Sequence, residues 1–282
     1  MYTVSLNIIQ QFSWHDLNHW ELDMVPNLLM AAAALLYFVA TRRVASWPKA
    51  RTVAFIVGLL VTFLATESVV GVFDDAYFSD HMIQHLLLIM IAAALFALAM
   101  PLDLAYDAGS PRLRRFLDGR VFALFTHPLV AFAAYFIFIP LTHLTGLFNF
   151  MLVHQWMHNI EHIGFLVIGY LFFRVAFGLE RGVTLHRGLQ LVFVMAAVPV
   201  DTFSGLALAM ESKNPFPIYV HSAPTGSTNS TIITNIHFGG AIMWIGGDAL
   251  MLLACIPIAV AWVRWETVQT KELDAELDAR GL

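Results

Sequence analysis

The sequence predicts an all-α, polytopic membrane protein with seven transmembrane helices, its amino terminus outside and its carboxyl terminus in the cytoplasm. Three observations lead there. Of the 282 residues, 59% are hydrophobic and only 12% are charged, with a mean hydropathy of +0.72; a soluble domain carries about a quarter charged residues. Seven mainly apolar stretches, at 25–41, 53–72, 82–100, 121–140, 152–173, 188–210 and 236–263, approach or exceed the length that crosses a bilayer. The connections between them alternate sharply in basic character.

That alternation fixes the expected orientation. Arg42, Arg43, Lys49 and Arg51 follow the first stretch, and Arg112, Arg114, Arg115 and Arg120 follow the third. Arg174, Arg181 and Arg187 lie around the junction of the fifth and sixth, and Arg264, Lys271 and Arg280 follow the seventh. Of the 15 basic residues only Lys213 falls in an alternate connection. Basic connections stay in the cytoplasm.

The elements read in order as follows. Residues 1–24 lack the basic start and apolar run of a secretory signal. Phe12, Trp14, Trp20 and Leu22 instead alternate with His15, Asp16, His19 and Glu21, the pattern of an external interfacial segment. A single membrane domain, 25–263, follows. The second span carries Glu67 near its outer end, the sixth carries Asp201, and the seventh, long enough to tilt, carries Asp248 and the sole cysteine, Cys255. One cysteine excludes a disulfide framework and any CxxC metal motif. The fourth span has His127–Pro128 at its cytoplasmic start. The longest external connection, 211–235, contains Pro215, Pro217 and Pro224. The charged tail, 264–282, reads as a short cytoplasmic helix or a disordered end whose charges keep it solvated.

Histidine is the commonest metal ligand among side chains, and its distribution is uneven. In the expected topology ten of the 12 histidines lie outside, and only His127 and His186 lie inside. Two clusters stand at the outer starts of spans. SDHMIQHLLL places Asp80, His81 and His85 at the third, and VHQWMHNIEHIG places His154, His158, Glu161 and His162 at the fifth. Residues four apart share a helical face, so His81 with His85, His154 with His158, and His158 with His162 can each present two nitrogens to one ion. On one helix His154 and His162 would stand ~12 Å apart along the axis. The reading is therefore either one ion held by a pair from each helix or two neighbouring sites. His81, His85, His154, His158 and His162 are the candidate ligands, with His237 an additional one. Asp80 and Glu161 serve as ligands or as acceptors that orient an imidazole, and Glu67 and Asp201 are placed to neutralise a bound cation. His15, His19, His143 and His221 read as interfacial anchors. Met82 and Met157 adjoin ligand candidates in sequence and so point ~100° away on a helix, which suits packing.

The stretch SDHMIQHLLLIMIAAALFAL at 79–98 resembles the signature of the CtaG-like, seven-span cytochrome oxidase assembly proteins of bacteria. His127–Pro128, the histidine-rich fifth span and NIHFGGAIMW at 235–244 extend the resemblance over most of residues 50–263. Family members often carry an acidic residue and a glutamine where this chain has Asn235, Ile236 and His237, and a proline near position 94 that is absent here.

The resemblance implies maturation of haem-copper cytochrome c oxidase in a bacterial inner membrane. The partners would be oxidase subunits and a periplasmic copper donor, within the lipid bilayer and with no nucleic acid. Copper is the expected metal, with zinc as the alternative. Behind a non-enzymatic copper-binding assembly factor stand an intramembrane zinc-dependent hydrolase, a metal transporter and a haem protein, in that order.

Overall fold

A computed structural model describes residues 18–182 and 185–280; Phe12, Trp14, His15 and Asp16 of the expected interfacial segment lie outside the described residues. Among the described residues the secondary structure is helical, without strands. Six helical stretches are long and apolar enough to cross a membrane, or seven if one bent pair counts as a single span.

The order of elements follows from local chemistry. α1 (Met24–Thr41) starts at Asp23, whose side chain accepts from the Val25 N–H, an N-cap that satisfies one of the helix's unpaired donors. Its long face of exposed leucines, including Leu28, Leu35 and Leu36, suits contact with lipid. Its buried anchor is Tyr37, stacked 3.8 Å from Phe55 of α2 (Lys49–Glu67). The Tyr37 hydroxyl donates to the Ala99 carbonyl at 3.1 Å and accepts from Trp47 Nε1 at 3.0 Å.

After a turn at Ser68, α3 (Val69–Val72) leads into the loop that carries Asp74 and Asp75. The third span is composite: α4 (Phe78–Leu86), a π-helical turn at Leu87–Ala92, then α5 (Ala93–Ala99). Met100 adopts a left-handed conformation, φ 52°, immediately before Pro101, and a residue preceding proline is biased away from continuing a helix. There the chain turns into α6 (Pro101–Ala108), followed by α7 (Pro111–Leu117) and α8 (Arg120–Phe125).

The expected fourth span at 121–140 is divided differently. α8 stops at Thr126, and α9 (Pro128–His143) starts afresh with Pro128 in its first turn and His127 Nδ1 accepting from the Leu129 N–H. α9 and α10 (Leu147–Val153) meet at 73°, so the span runs later and bends at Leu144–Gly146. Proline at a first helical position has no N–H to lose, which is why the break falls at 126–127.

α11 (Gln155–Phe177), α12 (Arg187–Ala209), α13 (Ile218–Ser222) and α14 (Asn229–Ala241) follow, then a second π-helical turn at Ile242–Gly246 and α15 (Gly247–Arg280). α15 continues unbroken through residue 263 to Arg280, so the tail is one helix with the last span. The core gathers Tyr135, Phe148, Phe165, Phe172 and Met82, each at most 1% exposed. Glycine is required at Gly169, where a Cβ would collide with the Ile89 carbonyl and with Ala93; this close approach locks α11 against the π-helical turn. The carboxylates of the sixth and seventh spans are both hydrogen-bonded: Tyr135 donates to Asp201 at 2.9 Å and Thr202 to Asp248 at 2.9 Å.

Candidate metal centre

α11 packs against the π-helical turn and α5 that continue α4, and α4 and α11 each turn a histidine face towards the other. Five imidazoles converge between α4, α9 and α11. His81 and His85 rings are 4.0 Å apart, His158 and His162 rings 4.3 Å, and His81 stacks on His158 at 5.4 Å. His143, from the end of α9, brings its Nε2 to 2.9 Å from His85 Nδ1. All five are buried, between 0% and 8% exposed.

They divide into two neighbouring groups. In the first, His81, His85, His143 and Glu161 each present a ligand atom within 4.8 Å of the others; in the second, Asp74, His158 and His162 do the same. Each group draws on more than one element, so neither matches a simple pairing of two residues on one helix. Two nitrogens bound to one ion at ~2.0–2.1 Å stand roughly 3 Å apart, so the 2.9 Å between His85 Nδ1 and His143 Nε2 suits an ion only where it replaces the proton they otherwise share.

Proton positions follow from the acceptors. His143 Nδ1 lies 2.9 Å from the Ile139 carbonyl, which can only accept, so Nδ1 carries the hydrogen and Nε2 a lone pair. That lone pair accepts from His85 Nδ1–H, leaving His85 Nε2 as a second lone pair. It faces Glu161 Oε1 at 3.7 Å. Two acceptors in a buried site need a proton or a cation between them. In the second group His158 Nε2 faces Asp74 Oδ2 at 3.6 Å. His162 Nε2 donates to Gln84 Oε1 at 2.8 Å, while Gln84 Nε2 donates to the Ala65 carbonyl at 3.2 Å. The carbonyl partner fixes which way the Gln84 amide points, and the amide in turn leaves His162 Nδ1 with a lone pair and no partner. Gln84 also hydrogen-bonds Asp74. Burial pushes the Asp74 carboxyl, in the α3–α4 loop, well above the usual carboxylate range, helped by repulsion from Asp75; a nearby cation would offset that cost.

The polar balance of the site is the strongest feature. Among the described residues nine buried side-chain nitrogens and oxygens lack a hydrogen-bond partner, and seven belong to His81, His85, His158, Glu161 and His162. At roughly 1–3 kcal/mol for each unsatisfied group, seven would rival the whole stability of a typical domain. A bound cation would remove this penalty, and the nitrogen–oxygen donor set is of the type that suits Cu(II) or Zn.

Of the five ligand candidates from sequence, His81, His85, His158 and His162 lie in these groups. His154 does not. α11 begins at Gln155, so His154 sits before it in extended backbone, φ −122°, ψ 97°, and the i,i+4 relation to His158 does not apply. Its Nδ1 bonds the Phe150 carbonyl at 2.9 Å and its ring is only half-buried. His237 bonds the Glu211 carbonyl at 2.7 Å, and Asp80 takes the Ser79 hydroxyl at 3.4 Å; both stand outside the groups. Glu67 accepts from the Asp23 N–H and from Asn27, and Asp201 is held by Tyr135. His143, read from sequence as an anchor, sits inside the first group, and Asp74 and Gln84 join without a sequence signal of their own. Met82 packs in the apolar core.

Fold and site together define an all-helical, multi-pass membrane protein with a histidine–carboxylate centre buried between its spans. A family model described as cytochrome c oxidase caa3 assembly factor matches residues 35–265. The chain belongs to that family. Similar curated proteins are an uncharacterized protein of Mycobacterium bovis and one of Mycobacterium tuberculosis, each 27% identical over 276 residues, covering 92% of this chain and 42% of the relative. An uncharacterized protein of Mycobacterium leprae is 25% identical over 283 residues, covering 89% of this chain and 43% of the relative. The chain thus spans less than half the length of the curated relatives it matches. No solved structure matches it.

Proposed function

We propose that this protein binds copper at the histidine–carboxylate centre and assists its delivery to haem-copper cytochrome c oxidase, as a non-enzymatic assembly factor of a bacterial inner membrane. Membership of an oxidase assembly-factor family supplies the client enzyme. The carrying observation is the set of buried imidazole nitrogens and carboxylate oxygens that lack partners at the meeting of α4, α9 and α11. The alternation of basic residues puts this end of the helices outside, facing a periplasmic copper donor and the exterior parts of oxidase subunits. Copper is cargo in this reading, so the centre must release it as well as hold it.

Cells deleted for this chain and complemented with His85→Ala/His162→Ala, one substitution in each group, test the reading. Oxidase purified from copper-limited variant cells is expected to contain haem but substoichiometric copper, with activity restored by added copper. Fully metallated oxidase in those cells would overturn the proposal. Zinc, which the same donor types accept, would be revealed as the retained metal by elemental analysis.

A further inference from the structure

The two ligand groups differ in their access. A cavity of roughly 430 Å³ opens beside the second group, and Asp74, His158, His162 and Gln84 line it; none of His81, His85, His143 or Glu161 does. The remaining wall, mixed in character, includes the carboxylates of Glu21, Asp23, Glu67 and Asp75 and no basic residue. The segment before α1 is held over this cavity: the Glu21 N–H donates to the Glu67 carbonyl at 3.1 Å and the Asp23 N–H to Glu67 Oε2 at 2.9 Å. Asn159, the neighbour of His158, donates to Asp23 Oδ2 at 3.0 Å. Behind the cavity the groups touch ring to ring, His158 on His81 at 5.4 Å and His162 near His85 at 6.4 Å.

We infer that the centre loads in sequence: a metal cation enters through the carboxylate-lined cavity, is captured by Asp74, His158 and His162, and passes across the His158–His81 contact to His81, His85, His143 and Glu161. This inference rests on the proposed metal binding and adds to it a port, an order and separate roles for the two groups. The acidic residues do more than mark a solvated surface, because two buried imidazole nitrogens, His158 Nε2 and His162 Nδ1, have no hydrogen-bond partner at residues that line the cavity. Carboxylates lining a cleft concentrate cations and raise their rate of entry. Imidazoles in contact let an ion exchange ligands without re-entering water.

The test uses detergent-purified full chain, stripped of metal and mixed with Cu(II), read by stopped-flow absorbance and by electron paramagnetic resonance. Wild type is expected to take up two equivalents, the first as an isolated Cu(II) signal and the second with loss of intensity as neighbouring ions couple. His81→Ala/Glu161→Gln should keep one equivalent at the wild-type rate. His158→Ala, or the milder His158→Gln, should slow loading of the remaining group at least tenfold. Glu21→Gln/Asp75→Asn, at two exposed positions, should slow the first uptake roughly tenfold at low ionic strength and flatten its salt dependence, while still reaching two equivalents. Loading of the His81 group at an unchanged rate in the His158 variants, or unaltered uptake by the Glu21/Asp75 variant, overturns the sequential route alone. Wild type that takes up no Cu(II) removes the metal-binding reading and the route with it.

Discussion

Gln84 is the side chain whose removal tests the architecture of the centre most finely. It accepts from His162 Nε2 at 2.8 Å, donates to the Ala65 carbonyl at 3.2 Å and hydrogen-bonds Asp74. In Gln84→Leu the imidazole keeps its place but loses the acceptor that fixes its hydrogen on Nε2. A buried N–H without a partner costs about 1–3 kcal/mol, and each 1.4 kcal/mol is tenfold in affinity. Copper affinity at the Asp74–His158–His162 group should therefore fall about 10- to 100-fold, the range found when an acceptor behind a ligating histidine is removed. The His81–His85–His143–Glu161 group keeps its own acceptor, the Ile139 carbonyl, so a competition titration against a chromophoric chelator should resolve one weakened and one intact phase. Gln84→Glu retains the acceptor, and a hydrogen bond to a carboxylate is roughly twice as strong as the neutral one it replaces, so affinity should not fall below that of wild type. Equal affinity of wild type and Gln84→Leu in both phases would refute the reasoning.

Three further outcomes are expected. His143→Ala should abolish one of the two bound equivalents, whereas His154→Ala, whose ring bonds the Phe150 carbonyl away from both groups, should leave copper stoichiometry unchanged by elemental analysis. Gly169→Ala drives a methyl group into the Ile89 carbonyl and Ala93; overpacking of about 1–3 kcal/mol should lower the melting temperature in detergent and loosen copper binding with it. In a Cys255→Ser background, Lys213→Cys should react with a membrane-impermeant maleimide in intact cells and Arg112→Cys only after permeabilisation, as the distribution of basic residues requires.

Much of the fold was legible because a bilayer leaves few options for an apolar segment. Length and apolarity placed α1, α2, the third span, α11 and α12 within a few residues, whereas the last span starts earlier, at Asn229, and runs on to Arg280. The fourth span misled for a local reason: hydropathy alone does not register that His127 and Pro128 form a helix start, nor that the chain turns by 73° after His143. At the site, i,i+4 spacing identified His81 with His85 and His158 with His162, because both pairs lie within helices. It failed for His154, which precedes its helix by one residue. His143, Asp74 and Gln84 were missed since their roles depend on which helices pack together, and a periodicity confined to one helix carries no such information. The pairing of His143 with His85 across 58 residues of sequence is tertiary in origin.

Elemental analysis of the detergent-purified chain after copper reconstitution, wild type beside His85→Ala/His162→Ala, bears most directly on the central claim that the buried imidazoles exist to hold metal. Stoichiometric copper in wild type and its loss from an equally helical double variant is the predicted result. Copper content that is negligible in wild type, or the same in both proteins, would contradict it.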